Sequence, residues 1–165
     1  PRSTLFPYTT LFRSAMIHQG IGFLAWSPLA GGLLSGKYKD FAEVPKGSRF
    51  DHRKGLDVPR FWNERSKAIA QGLVEAGMEM GAAPARLALA WLLSKDYLSS
   101  VILGPRTREQ LADSLTASSI RVPEEILARL EEISQPAKNY LWGFNEETNG
   151  QFLARGALFP GARIV

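Results

Sequence analysis

Two short stretches hold the residue types that could grip an anion. The first, Ser27-Pro28-Leu29-Ala30-Gly31-Gly32, follows an apolar run at residues 21–26. Its small residues Ala30, Gly31 and Gly32 let the backbone approach a pyrophosphate, and Ser27 offers a hydroxyl. Lys37 and Arg49, further along, can meet phosphate charge. The second, Gly104-Pro105-Arg106-Thr107, follows the run Ser100-Val101-Ile102-Leu103 and leads into a helical stretch from Arg108. A glycine between a strand and a helix start presents free backbone N–H groups, and the positive end of the helix dipole, to an anion. Arg106 adds a guanidinium that can fork onto a phosphate.

Each stretch also has a local explanation. Taken alone, SPLAGG reads first as a tight exit turn and Lys37 as a solvated charge. Thr107 and Gln110 have capping-box spacing, so Gln110 could fold back onto the Thr107 backbone N–H instead of reaching a ligand. Leu87 and Trp91 lie one helical turn apart and read as core. Trp62 and Trp142 could reach a substrate, but aromatics in a loop or tail are more often packed down. His52 reads as a solvated loop histidine.

Composition narrows the chemistry. The chain has no Cys, and its two histidines, His18 and His52, are far apart, which leaves no disulfide, no cysteine nucleophile and no expected zinc site. The net charge of +4 invites a nucleic-acid reading. The basic residues are scattered, however, and without Arg2 and Arg13 the balance is 18 basic to 16 acidic, too even to attract a polyanion. The acids interspersed in EEILARLEEIS argue the same way. No apolar run approaches the roughly 20 residues of a membrane span, and no signal peptide is recognisable, so a cytoplasmic setting without membrane or nucleic-acid partners is expected.

The elements that would position these residues alternate strand and helix. Residues 21–26 and 100–103 read as buried strands, each ending at one of the two anion-binding stretches. Residues 37–59, with Pro45, Gly47, Gly55 and Pro59, read as a long surface loop. Helices are predicted over 61–80, stopped by Gly81; over 84–93, with Pro84 in the first turn; over 108–118; and over 123–133. ARLALAWLL is apolar nearly all round and needs protein on most sides. This is the rhythm of an α/β protein with parallel strands. Two strands cannot close a barrel or bury both faces of a sheet, so the chain reads as part of a larger fold.

Both ends read differently. Residues 4–14, TLFPYTTLFRS, resemble the conceptual translation of a sequencing-library adapter, so 1–14 is expected to be foreign to the natural protein, whose own start would then be missing. Residues 135–165 carry Tyr140, Trp142, Phe144 and Phe152 and are expected to be an extension packed down by its aromatics.

WSPLAGGLLSGKY at 26–38 is similar to the strand-to-loop motif of aldo-keto reductases. GPRTREQL at 104–111 resembles their dinucleotide motif, and residues 84–93 resemble their apolar ALAW helix. The match covers about 20–134, in family order and spacing. It implies that residues 15–134 are the C-terminal part of a TIM (β/α)8 barrel, incomplete, with two parallel strands and about four helices. The strands would be the seventh and eighth, whose C-terminal loops lie at the active-site end.

The resemblance implies NADP(H) as cofactor. Ser27, Pro28, Leu29, Ala30, Gly31, Lys37 and Arg49 would form a strap over the pyrophosphate. Gly104, Pro105 and Arg106 would hold the adenosine 2′-phosphate, which favours NADP over NAD. Gln110, Asp113 and Ser114 would touch the adenine end, although the common pattern has Glu and Asn at the last two positions, so contact there is in doubt. It also implies hydride transfer to a small-molecule aldehyde or ketone by a Tyr, Lys, Asp and His set on the first four strands, all upstream of Gly20. No catalytic residue is assigned here; Tyr38, Tyr97 and Tyr140 follow the wrong elements. The alternative is a non-enzymatic nucleotide-binding subunit of the potassium-channel β type, whose motifs are similar.

Overall fold

The computed structural model describes residues 15–38, 41 and 43–135. The expectations for 1–14 and for Tyr140 and Trp142 lie outside the described residues. The described chain falls into two compact units. In the first, α1 (15–19) ends where Gly20 takes a left-handed φ of 64°, and the Ile21 N–H returns to the Met16 carbonyl at 2.8 Å. This helix is absent from the sequence-based reading.

The second unit, Gly22–Gln135, carries both candidate anion-binding stretches. Its sheet is one parallel pair, β1 (Phe23–Ala25) and β2 (Leu98–Val101). Phe23 pairs with Leu98 but Leu24 pairs with Ser100, so Ser99 is an extra residue. The Ser99 hydroxyl accepts the Phe23 N–H at 3.1 Å, in space that a Cβ on Gly22 would invade at 2.7 Å. The ladder resumes with Ala25 opposite Val101, and the Ile102 N–H reaches the Ala25 carbonyl at 2.9 Å. Both strands therefore point the same way and release their chains at the same end. β1 is shorter than expected, and β2 keeps its expected length but lies two residues earlier.

The expected loop at 37–59 is corrected. It contains α2 (Arg49–His52) and α3 (Lys54–Phe61), with Pro59 inside α3. Ser48 caps α2 by accepting the Asp51 N–H at 3.2 Å. Pro59 has no N–H to give the Gly55 carbonyl, so α3 forms one hydrogen bond short. What fixes both helices is a small core of Leu33, Tyr38 and Phe50, closed by Phe41, Val44, Val58, Phe61 and Trp62.

The predicted helix at 61–80 starts later, as α4 (Glu64–Met80), because Phe61 ends α3 and Asn63 caps α4 through its bond to the Ser66 N–H at 2.9 Å. Gly81 stops it at φ 60°. α5 (Pro84–Leu93) begins with Pro84 in its first turn, as expected. α6 (Arg108–Leu115) gives way to a 3-10 turn, Thr116–Ser119, and α7 (Glu124–Ser134) follows. Leu73 and Ala76 of α4, Leu87 and Ala88 of α5 and Ile126 and Leu130 of α7 make the main core. α5 also packs against β2. The described fold is thus a partial α/β structure with an open, two-stranded parallel sheet; its helices outnumber the expected four because α2 and α3 belong to the strap and α1 to the first unit. Leu24, Trp26 and Ile102 remain 57%, 67% and 46% exposed on this sheet.

Candidate cofactor site

The exit of β1 is unusually left-handed. Ser27 and Ala30 have φ of 54° and 48°, and Gly31, Gly32 and Gly36 have φ of 71°, 96° and 79°. The turn closes through Ala30 N–H to the Ser27 carbonyl at 2.9 Å and Gly32 N–H to the Leu29 carbonyl at 2.8 Å. Glycine accepts such angles freely, but a non-glycine residue there carries strain of about 1–3 kcal/mol. Such strain persists where surrounding contacts hold it, and ligand clamps are common places for it. Here the anchor is Leu29, which packs against the main core. Its side chain is therefore turned to packing, and its expected contact with cofactor falls to its backbone.

Two cations are brought against the two glycines. A Cβ on Gly31 would lie 3.3 Å from Arg49 Nε and 3.6 Å from the Phe50 ring, and one on Gly32 would lie 3.4 Å from Lys37 Nζ. Residues 31 and 49 are far apart in sequence; burial of Phe50 in the strap core brings them together. Arg49 donates from Nε to Asp57 Oδ2 at 2.9 Å, and Arg53 Nε lies 3.5 Å from the same oxygen. Asp57 is 1% exposed, a buried charge that sequence reasoning missed. Its only signal was the spacing Arg49, Arg53, Asp57. Asp57 lies against Arg49 and Arg53, while Lys37 and Arg49 are the cations that stand over Gly32 and Gly31, where the bare backbone gives an anion room to approach. These donors fit a diphosphate.

The exit of β2 is less open than its motif suggests. Nothing stands within 4 Å of a Cβ on Gly104, and Arg106 is exposed. The amides behind it, however, already have acceptors. Gln110 Oε1 takes the Arg106 N–H at 2.9 Å, and Thr107 Oγ1 takes the Gln110 N–H at 3.2 Å. Half of the expected capping box forms: Thr107 caps the helix, while Gln110 takes the Arg106 amide and not the Thr107 amide. The Glu109 carboxyl is held below its ordinary range by a hydrogen bond from its own backbone N–H and by another from the Thr107 hydroxyl. The amides of Arg106, Glu109 and Gln110 are thus taken by side chains, which leaves the Arg106 guanidinium as an exposed donor at this exit. Asp113 lies 3.5 Å from Arg86 Nε, an ion pair without hydrogen-bond geometry, and the Ser114 hydroxyl donates to the Gln110 carbonyl at 2.8 Å. Both short side chains are turned to local partners.

The remaining apolar and aromatic candidates pack down. Trp62 donates from Nε1 to the Phe41 carbonyl at 3.1 Å and stacks among Tyr38, Phe41 and Phe50. Leu87 is fully buried, Trp91 packs against the core beneath Lys95 Nζ, and His52 is exposed. A cavity of about 240 Å³ lies beneath Ser27 and Pro28, lined mainly by apolar residues such as Leu34, Leu73 and Trp91, and offers a phosphate no charged group.

A model of the aldo/keto reductase family matches residues 5–135. The chain belongs to the aldo/keto reductase family. Among its aldo/keto reductase relatives, it is 39% identical over 114 residues to an uncharacterized oxidoreductase, YrpG, of Bacillus subtilis, covering 69% of this chain and 32% of that protein. It is 35% identical over 121 residues to a putative voltage-gated potassium channel subunit beta of Schizosaccharomyces pombe, covering 69% and 34%. It is 32% identical over 130 residues to L-glyceraldehyde 3-phosphate reductase of Escherichia coli K12, covering 76% and 37%. The chain spans about a third of the length of these relatives. Membership accounts for the parallel pair and its two functional-looking exits, and oxidoreductase relatives support redox chemistry for the family. No helix among the described residues is long and apolar enough to cross a membrane.

Proposed function

We propose that this chain is the NADP(H)-gripping part of an oxidoreductase that reduces a small aldehyde or ketone in the cytoplasm. The carrying observation is the placement of Lys37 and Arg49 over Gly32 and Gly31, at the strand end that also releases Gly104-Pro105-Arg106. When bound, NADPH supplies the hydride. The chain's own residues bind and orient. Ser27 to Gly31 form the bed of a strap, Lys37 and Arg49 neutralise the pyrophosphate, and Arg106 takes the 2′-phosphate, which selects NADP over NAD. Gly104 and Pro105 keep the approach to Arg106 low, while Gln110, Asp113 and Ser114 act at the adenine end only by releasing their present partners. Orientation of the cofactor is the protein's share of the work in such enzymes.

Titration of the 165-residue chain with NADPH and NADH, followed by calorimetry, tests this reading. Saturable binding of NADPH, at least tenfold tighter than NADH, is expected; equal affinity removes the role of Arg106, and no binding of either removes the site.

The likeness to channel β subunits supports a second reading, a nucleotide-binding subunit without turnover. NADPH-dependent reduction of 4-nitrobenzaldehyde by a full-length parent favours the enzyme; tight NADPH binding without turnover favours the subunit.

A further inference from the structure

Asp57 cannot touch a ligand, yet it controls the group best placed to do so. It is 1% exposed, sits in α3, and accepts from Arg49 Nε at 2.9 Å. We propose that Asp57 is a positioning residue that holds the Arg49 guanidinium across Gly31 in the orientation needed to grip a nucleotide diphosphate. This rests on the cofactor reading above.

Arginine is planar, and its five N–H donors project in fixed directions. Once Nε is tied to a buried oxygen, the plane can no longer turn freely, so the directions of the remaining donors are set before a ligand arrives. The Arg49 side chain is 40% exposed, so the guanidinium reaches solvent while one edge is held. Gly31 supplies the clearance, because a Cβ there would crowd Nε at 3.3 Å. The N-terminus of α2 fixes the other end: Asp51 accepts the Gly47 N–H at 2.8 Å while its own N–H bonds to Ser48. Arg53 shares the same carboxylate oxygen at the longer distance of 3.5 Å, as part of the charge balance a buried carboxylate requires. Arg53 is not among the groups against Gly31 or Gly32. Asp57 therefore has two arginine partners, and only Arg49 faces the proposed diphosphate.

The test compares two probes by calorimetry on the 165-residue chain. NADPH spans both strand exits, whereas adenosine 2′,5′-bisphosphate lacks the pyrophosphate bridge and reports on the Arg106 side. Asp57→Asn is expected to weaken NADPH about tenfold, as loss of a charge-assisted hydrogen bond would, and to leave the bisphosphate within about twofold. Arg53→Gln removes the other ion pair and is expected to change neither. The inference is overturned if Asp57→Asn spares NADPH, if it weakens both probes alike, or if Arg53→Gln reproduces its effect. Where Asp57→Asn loses the circular-dichroism signature of the fold, Arg49→Lys decides instead: it keeps the charge but removes Nε, and must weaken NADPH selectively for the inference to stand. An unaltered chain that binds neither probe sinks the cofactor reading and this inference with it; an unaltered chain that binds both, with no selective loss in the variants, sinks only the positioning role.

Discussion

Gln110 turns its side-chain oxygen onto the backbone N–H of Arg106 at 2.9 Å, so one side chain holds the amide of the residue proposed to meet the 2′-phosphate. Two roles compete for that glutamine, capping α6 and reaching a nucleotide. Gln110→Ala should release the Arg106 amide and destabilise the chain by about 1 kcal/mol, the usual worth of a helix cap. Hydrogen exchange by NMR checks it. The Arg106 amide should be protected in the parent, despite its exposed position, and should exchange markedly faster in the variant.

Glu109 places a carboxylate in the first turn of α6, beside the proposed phosphate site. Its hydrogen bonds from its own N–H and from the Thr107 hydroxyl favour the charged form and lower its pKa. The folded value lies below the unfolded one, so the stabilisation it brings is present above the ordinary glutamate range and is lost as pH falls through the folded value. Glu109→Gln should therefore flatten the acid limb of a stability profile. It should also tighten adenosine 2′,5′-bisphosphate several-fold at low salt by removing a like charge, with the gain shrinking as salt rises. Unchanged affinity at low salt would show that the ligand and the carboxylate do not share the space.

Two glycines of α4 offer a paired comparison. A Cβ on Gly72 would stand 2.5 Å from Ile133 Cδ1, the free end of a side chain, whereas one on Gly77 would stand 2.7 Å from the Ala82 carbonyl oxygen, which is backbone. Alanine in a helix interior gains about 1 kcal/mol over glycine. Ile133 can rotate away, so Gly72→Ala should come out near neutral. The Ala82 carbonyl cannot move without disturbing the Gly81 turn, so Gly77→Ala should cost roughly 1–3 kcal/mol despite the longer distance. Urea midpoints of the two variants decide the order.

Legibility in the sequence followed the range of the interactions. Pro84 at the start of α5 and Gly81 at the end of α4 act within one turn, and both appeared where their local chemistry put them. The strap misled for the same reason: Pro45, Gly47, Gly55 and Pro59 signal a loop locally, but Phe50 meeting Tyr38 and Trp62 overrides them from a distance. The glycines of the proposed anion site were legible as residues, while Asp57 was not, because a buried carboxylate has meaning only beside the arginines that neutralise it. At α6 the spacing of Thr107 and Gln110 left two outcomes open; the glutamine does fold back, but onto the Arg106 amide, one residue before the position the spacing predicts.

The last consequence concerns the open sheet. Leu24 is exposed on one face of β1, Ser100 stands beside it in the ladder, and the exposed Ile102 follows two residues after Ser100, just past β2. The other side holds Ala25, which is buried, beside Val101. In a closed barrel the first face would meet other strands, whereas among the described residues it offers apolar area and open strand edges together, the combination that promotes association. The purified 165-residue chain should therefore bind a hydrophobic dye and run as concentration-dependent oligomers in light scattering. Replacing Leu24 and Ile102 by Thr keeps strand propensity while removing apolar surface, and should shift the population towards monomer without changing the circular-dichroism spectrum. A parent that stays monomeric, excludes the dye and melts in one sharp transition would mean that this face is covered in solution.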